Sequence, residues 1–156
     1  MMKTKQLFLG ILLTAFSLSA FSQQNITEEK YYFSKTLKGD LETVTDKVKT
    51  ALKDQGFGIV TEIDMHKTLK EKLDVSMAGY RILGACNAKF AYKTVQKEEN
   101  IGVFLPCKVL LKEKENNTVE VVAVNPARLM SMLGNDDLKP ISEEVADLFK
   151  EALKQL

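Results

Sequence analysis

The hydrophobic pattern of the chain begins with a strand, a helix and a second strand. Residues 31–37 are aromatic and alternating, as in a strand, and Asp40 is placed to cap a helix through its carboxylate. Apolar residues recur at helical spacing after this cap: Leu41, Val44, Val48, Ala51 and Leu52. Gly56 is placed to end the helix in a left-handed turn. The second strand is predicted from the alternating residues Phe57, Ile59, Thr61 and Ile63.

The middle of the chain predicts two further helices separated by a strand. The first is a short helix over residues 66–73, and a third strand follows over residues 80–85. Asn87 is a suitable cap for the second helix, which covers about residues 88–96. The apolar residues expected to face inward from this helix are Phe90, Ala91 and Val95.

A β-hairpin is predicted next. Its first half is a long fourth strand, because six alternating residues fall on one face: Ile101, Val103, Leu105, Cys107, Val109 and Leu111. Asn116 and Asn117 are typical of a tight turn, since asparagine tolerates positive φ. Residues 119–124 then form the return strand, with valines on both faces.

The chain ends with helices, and the order of elements indicates the fold class. Pro126 begins a short helix that Gly134 ends, and Ser142 is predicted to cap the last helix. The apolar stripe of that last helix consists of Val145, Leu148, Phe149, Ala152, Leu153 and Leu156. The order β-α-β-α-β-α-β-β-α indicates an α+β fold, an antiparallel β-sheet with helices packed on one face.

The first part of the chain has the three-part pattern of a secretory signal peptide. Two lysines are followed by an uncharged apolar run over residues 7–18 and by small residues within 20–22. An uncleaved membrane anchor is the alternative, but the run is shorter than the ~20 residues that a spanning helix needs. We therefore expect a signal peptide over residues 1–22, a flexible leader over 23–30 and one domain over 31–156 of an exported, periplasmic or secreted protein.

The charge balance excludes some classes of partner. Of the 22 basic and 21 acidic residues, Lys3 and Lys5 belong to the predicted signal peptide, which leaves 20 basic residues and a net charge of −1. The two signs are interspersed along the chain. This pattern argues against nucleic acid and against an anionic membrane surface as the main partner.

Cys86 and Cys107 are the chain's two cysteines and the main candidates for chemistry. Cys86 lies where the third strand gives way to the helix that begins near Asn87. Unpaired N–H groups and the helix dipole there favour the thiolate form, which lowers the pKa of a thiol and makes it a better nucleophile and metal ligand. Cys107 lies on the apolar face of the fourth strand, so pairing of the third and fourth strands would bring the two sulfurs close.

The residues leave three interpretations of the cysteines open. In the first, both are small, inert core residues, as free cysteines often are. In the second, an exported protein uses them as a structural disulfide, whose loop of roughly twenty residues would stabilise the fold by ~3 kcal/mol. In the third, they are a working pair, either a redox dithiol or a site for a small ligand or a soft metal such as copper. Further metal donors could come from Met65, His66, Met77, Met130 or Met132.

Other catalytic arrangements have less support. His66 is the only histidine, and no spacing places a nucleophile beside it, so an exposed residue near a helix start is the simpler interpretation. One histidine and two cysteines cannot complete a four-ligand zinc site without carboxylates. Glu62 and Asp64 share a strand face but are expected to be exposed. Because no acid–base pair is visible, the sequence favours a protein that is not an enzyme.

Two cysteine motifs carry a resemblance to a known family. They are Gly84-Ala85-Cys86-Asn87 and Leu105-Pro106-Cys107, and Asn125-Pro126 follows the hairpin. In order and spacing they resemble the cysteine-containing branch of the family called domain of unknown function 302, over about residues 46–156. The family usually has Pro, Asn and Asp at three positions where this chain has Ala88, Lys108 and Asn125.

The resemblance implies an α+β fold like that of the TATA-binding-protein-like superfamily and a homodimer, and it implies no established activity. With the residues themselves, it leads to two hypotheses. The first is an exported module that binds a small ligand or soft metal, or cycles a thiol pair, at Cys86 and Cys107, with Asn87 positioning the turn. The alternative is a non-catalytic structural or interaction protein, a dimer, whose cysteines are inert or disulfide-bonded.

Overall fold

The computed structural model describes residues 26–156, which contain a six-stranded antiparallel sheet. The signal peptide predicted over residues 1–22 lies outside this part. The strands are β1 (Thr27–Glu28), β2 (Tyr32–Lys38), β3 (Gly58–Asp64), β4 (Tyr80–Cys86), β5 (Cys107–Lys114) and β6 (Thr118–Val124). The helices are α1 (Leu41–Asp54), α2 (Met65–Leu73), α3 (Ala88–Val95), α4 (Pro126–Met130) and α5 (Lys139–Lys154). Across the sheet the strands follow the order β1-β2-β6-β5-β4-β3.

The core lies between one face of the sheet and helices α1 and α5. Alternate residues of the four central strands point to this side and are buried: Phe33, Leu37, Leu83, Ala85, Cys107, Val109, Leu111, Val119, Val121 and Ala123. The ring of Phe149 on α5 stacks on Phe57 with 4.5 Å between the ring centroids. The predicted α+β class, with an antiparallel sheet and helices packed on one face, is confirmed. None of the helices within residues 26–156 is long and apolar enough to cross a bilayer.

The structure confirms the helix cap and the hairpin turn that were predicted from neighbouring residues. The Asp40 carboxylate caps α1 by accepting from the Thr43 backbone N–H at 2.8 Å. Asn116 and Asn117 adopt φ angles of 59° and 51°, as the tight hairpin turn between β5 and β6 requires. These features depend on side chains acting on their own backbone, so neighbouring residues are sufficient to predict them.

The predicted long fourth strand is wrong in its first half. Residues Glu99–Phe104 form a 3-10 helix, and β5 begins only at Cys107. Val103 is 83% exposed, whereas Ile101 is buried in a small separate cluster with Met130 and Leu138. Proline has no N–H to give to a ladder, so the strand cannot extend back through Pro106. Ile101 of this alternating segment therefore packs in a second core and not against the sheet.

Three smaller predictions also need correction. Helix α5 begins at Lys139, so Ser142 lies inside its first turn and its hydroxyl donates to the Lys139 carbonyl at 2.9 Å instead of capping the helix. In α3, Val95 is 43% exposed and Thr94 takes the inward position. The leader predicted over 23–30 contributes the short strand β1, which pairs with β2 through backbone hydrogen bonds that apolar patterning does not reveal.

A buried guanidinium group on β4 binds carboxylates of α1 and β3 and so links these three elements. Arg81 is 4% exposed, and its Nη atoms donate to both carboxylate oxygens of Glu42 on α1 at 2.8 and 2.7 Å. Its Nε donates to Asp64 on β3 at 2.7 Å and lies 3.3 Å from a Glu62 oxygen. The Thr45 hydroxyl accepts a further bond at 3.2 Å. Each of the three guanidinium nitrogens therefore has a hydrogen-bond partner, as a buried charge requires.

We expect the Arg81 network to make the free energy of unfolding depend on pH in the acidic range. Hydrogen bonds from Arg81 and then Lys67 lower the pKa of Asp64 from 3.8 to about 2. The stabilisation by the Asp64 carboxylate is therefore fully present above pH 3.8 and is lost as the pH falls through about 2. Asp64→Asn should lower the free energy of unfolding at pH 7 by roughly 2 kcal/mol.

Urea unfolding of both proteins between pH 7 and pH 2 measures this effect, and the difference between them should shrink toward pH 2. Asp74→Asn is the matched control, because Asp74 is paired with Lys70 but its side chain is 91% exposed. Parallel pH profiles for wild type and Asp64→Asn would contradict the assignment.

Candidate functional site

Strand pairing brings the two cysteine motifs together. Cys107, the first residue of β5, lies opposite Ala85 on β4, and Cys86 is the next residue of β4. Cys86 in turn pairs with Gly58 on β3. Both cysteines are free thiols, and both line one small cavity, which we call the sulfur cavity. Residues of the two cysteine motifs, far apart in the chain, therefore line one part of the interior.

The sulfur cavity is small and mainly apolar. Its volume is about 20 Å³, close to that of one water-sized sphere and far below the roughly 300–1,000 Å³ typical of sites for organic ligands. Besides the cysteines, its walls include Phe57, Phe90, Leu105, Met130 and Val145. The cavity therefore has room for one atom or ion.

The two thiols differ in their surroundings. Burial, and to a smaller extent the neighbouring Cys86, raise the pKa of Cys107 to about 11. At neutral pH Cys107 is consequently a protonated, weakly nucleophilic thiol unless something replaces its proton. Cys86 is only partly buried, so it is the more accessible of the two.

Contact between Gly84 and Pro106 sets where β5 begins. A methyl group added at Gly84 would lie 2.6 Å from Cγ of Pro106 and would also overlap the Thr61 hydroxyl. Only glycine therefore allows the proline ring to rest against β4. The ladder starts at the next residue, which places Cys107 opposite Ala85. The two motifs thus act as one unit, since the glycine of one accommodates the proline of the other.

Asn87 precedes α3, as predicted, but its side chain makes no capping hydrogen bond. Its Nδ2 atom instead lies 3.5 Å from the Gln55 carbonyl oxygen, a long hydrogen bond beside Gly56, which has a φ of 80°. Asn87 therefore connects the turn after α1 to the start of α3, and it also lines the sulfur cavity. Asn125 does cap its helix, accepting from the Arg128 N–H at 3.3 Å.

Of the additional donors suggested by the sequence, Met130 is the one that lines the sulfur cavity. His66 lies at the start of α2, where its Nδ1 is 3.2 Å from the Tyr80 backbone nitrogen and accepts its hydrogen bond. Met77 and Met132 are 44% and 70% exposed. Within residues 26–156, no group of three or more His, Cys, Asp or Glu side chains is placed to hold a metal ion. A metal site at the cysteines would therefore depend on sulfur donors.

Glu62 and Asp64, considered from the sequence as a carboxylate pair, both face the Arg81 guanidinium. They are ion-pair partners in the network that fastens α1 and β3 to β4. Sequence reasoning did not single out Arg81 for this role. The available signal was a lone arginine at an inward position of an otherwise apolar strand, because a buried guanidinium requires acidic partners.

We expect Gly84→Ala to disturb the sulfur cavity through the backbone. Overlap of the new methyl group with Pro106 and Thr61 should lower the free energy of unfolding by about 1–3 kcal/mol and shift the start of β5. Urea unfolding measures the first effect, and the rate at which a thiol reagent modifies Cys107 in the folded protein measures the second. Gly102→Ala is the control, because a methyl group there meets no atom within 4 Å. Equal stability and equal thiol reactivity of the two variants would contradict the role given to Gly84.

Comparison with known proteins places the chain in a family. A model of the family described as "Domain of unknown function DUF302" matches residues 33–156. A similar solved structure is that of an uncharacterized conserved DUF302 protein from Bacillus stearothermophilus, with a TM-score of 0.74 and 22% sequence identity, covering 80% of this chain and 96% of that chain. This structural likeness supports the fold alone. No curated protein matches the chain. The chain belongs to the DUF302 family, whose members share a domain of unknown function.

Proposed function

We propose that this protein binds one soft monovalent metal ion, with Cu(I) as the best candidate, between Cys86 and Cys107. The observation that carries the proposal is the sulfur cavity, an apolar space of about 20 Å³ that is lined by two residues with free thiols. A cavity of this size matches a bare ion better than an organic ligand. Two thiolates are ligands that Cu(I) prefers.

The environment of Cys107 favours metal binding over dithiol chemistry. A thiol whose pKa is raised to about 11 is slow to attack a disulfide or to be oxidised, because the thiolate is the reactive form. A metal ion, in contrast, replaces the thiol proton and releases it to solvent. The apolar walls then limit access of water to the bound ion. We therefore favour the soft-metal form of the hypothesis over the redox form.

Anaerobic titration of the reduced protein with Cu(I), in competition with the chromophoric chelator bicinchoninate, tests the proposal. We expect one equivalent to bind, and Cys86→Ser or Cys107→Ser to weaken binding by about 100-fold, because each removes one of two strong ligands. His66→Ala is the control and should bind as wild type does, because its ring nitrogen is engaged with the Tyr80 backbone.

The pH dependence gives an independent readout. Because Cys107 is protonated before binding, affinity should rise by about tenfold per pH unit for the proton that it releases, between pH 6 and 9. In Cys107→Ser this contribution should disappear. Wild-type protein that binds no Cu(I), or binds it equally well without either cysteine, would refute the proposal.

A second candidate function, self-association, is favoured by the face of the sheet opposite the core. Four apolar side chains lie in register across this face, Ile63 on β3, Ile82 on β4, Leu110 on β5 and Val122 on β6. We call them the apolar row. Ile63 is 41% exposed, Ile82 and Leu110 are partly exposed, and Val122 is 7% exposed. Helices α1 and α5 lie on the other face, so they do not cover this row.

A second copy of the chain is the partner that we propose for the apolar row. Beside it, Lys112 and Glu120 form an ion pair of 3.0 Å, so the flank carries both signs of charge. An apolar row flanked by both signs of charge can be complementary to itself, as a two-fold symmetric interface requires. In this alternative the dimer is the functional unit and the cysteines are core residues.

Leu110→Lys tests the alternative by introducing a charge in the middle of the apolar row. Light scattering with size-exclusion chromatography should show a wild-type dimer and a variant weakened by at least about tenfold in dimer affinity. Val103→Lys is the control, since Val103 is 83% exposed and lies outside the sheet. Wild-type protein that is monomeric at 100 µM, or a Leu110→Lys variant that dimerises normally, would rule this alternative out.

A further inference from the structure

A second, larger cavity adjoins the sulfur cavity. It is a cleft of about 560 Å³ between β1, α4 and the first three turns of α5, which we call the polar cleft. Its lining includes Glu28, Asn125, Arg128, Asp136, Lys139 and Glu143. The side chains of Arg128, Asp136, Lys139 and Glu143 are exposed, so the polar cleft is open to solvent.

Two residues, Met130 and Ser142, line both the polar cleft and the sulfur cavity. They are 5% and 1% exposed, so together they form a buried wall between the two spaces. The Ser142 hydroxyl is already engaged, since it donates to the Lys139 carbonyl at 2.9 Å within α5. Met130 presents a thioether, the one soft donor of this wall.

The chemistry of methionine suits an ion that passes through the wall. Its side chain has three rotatable bonds and a polarisable sulfur, so it can take up alternative positions at little cost. A thioether binds Cu(I) but binds it less strongly than a thiolate does, so an ion held there can move on to the cysteines. Met130 is also the last residue of α4, whose start is held by Pro126 and the Asn125 cap.

The charges of the polar cleft do not oppose a cation. Four carboxylate residues line it against three basic residues, and one of these, Lys150, is already paired with Glu28 at 3.5 Å and Asp147 at 3.7 Å. A monovalent cation therefore meets no excess of positive charge on its way to Met130.

We infer that Met130 is a relay ligand, which takes Cu(I) from the polar cleft and passes it to Cys86 and Cys107. This inference rests on the proposed metal-binding function. The transfer is a ligand exchange in which no electron moves. The bond from copper to the thioether sulfur breaks as bonds to the two cysteine sulfurs form, and the proton displaced from each thiol leaves to solvent.

Loading kinetics of the full chain test the relay. Reduced protein is mixed anaerobically with the Cu(I)–bicinchoninate complex, and loss of the complex's colour gives the rate of transfer. Met130→Leu keeps the volume and apolar character of the side chain but removes the sulfur. We expect transfer to be slower by at least about tenfold, which corresponds to 1.4 kcal/mol in the barrier, with a smaller change in equilibrium affinity. Met132→Leu, a change at a 70% exposed methionine of the same segment, should load as wild type does.

The outcomes separate the relay from the metal site itself. If wild type and Met130→Leu load at equal rates, the ion enters past the partly exposed Cys86 and the relay is wrong, although the metal site stands. If wild type binds no Cu(I), both proposals fail. Circular dichroism and urea unfolding identify a folding defect of Met130→Leu. In that event Met130→Ile, also without sulfur, replaces it, and normal loading by that variant would overturn the relay.

Discussion

The antiparallel pairing of β4 with β5 is the constraint on which the rest of the structure depends. In this register Ala85 lies opposite Cys107 and Arg81 lies opposite Leu111. A slip of one residue would turn every side chain of a strand to the other face, removing Cys107 from the core and Arg81 from its carboxylates. The contact between Gly84 and Pro106 fixes the end of this ladder through shape, and the Arg81 network fixes the other end through charge.

Apolar packing and ion pairing stabilise different parts of this fold. Helix α5 and the central strands are held by close-packed side chains such as Phe149, which has no exposed surface. The edge strand β3 buries little, and Val60, at the irregular point of its pairing, is 60% exposed. Burial alone would hold β3 weakly, so its connection to Arg81 through Glu62 and Asp64 matters more there than a surface ion pair usually does.

Size and polarity distinguish the two spaces near the cysteines. The sulfur cavity, about 20 Å³ with apolar walls, suits retention of one ion, whereas the polar cleft of about 560 Å³ is open and lined with charges. A site that holds a reactive ion has to exclude water, and a site that receives it has to admit solvent. Met130 and Ser142 stand between these environments. The proposed function and the proposed relay are both based on this arrangement.

The amino-acid sequence by itself determined the features that arise within a few residues. These are the helices and most strands, the Asp40 cap, the Asn116-Asn117 turn and the order of elements, because propensity, capping and periodicity act locally. It also indicated that the cysteine motifs belong together. Tertiary structure alone decided that Ile101 enters a second core, that Arg81 gathers three carboxylates, and that Met130 lines the sulfur cavity. Each depends on which distant surfaces are buried against one another, and burial is a property of the whole packed chain that local periodicity does not encode.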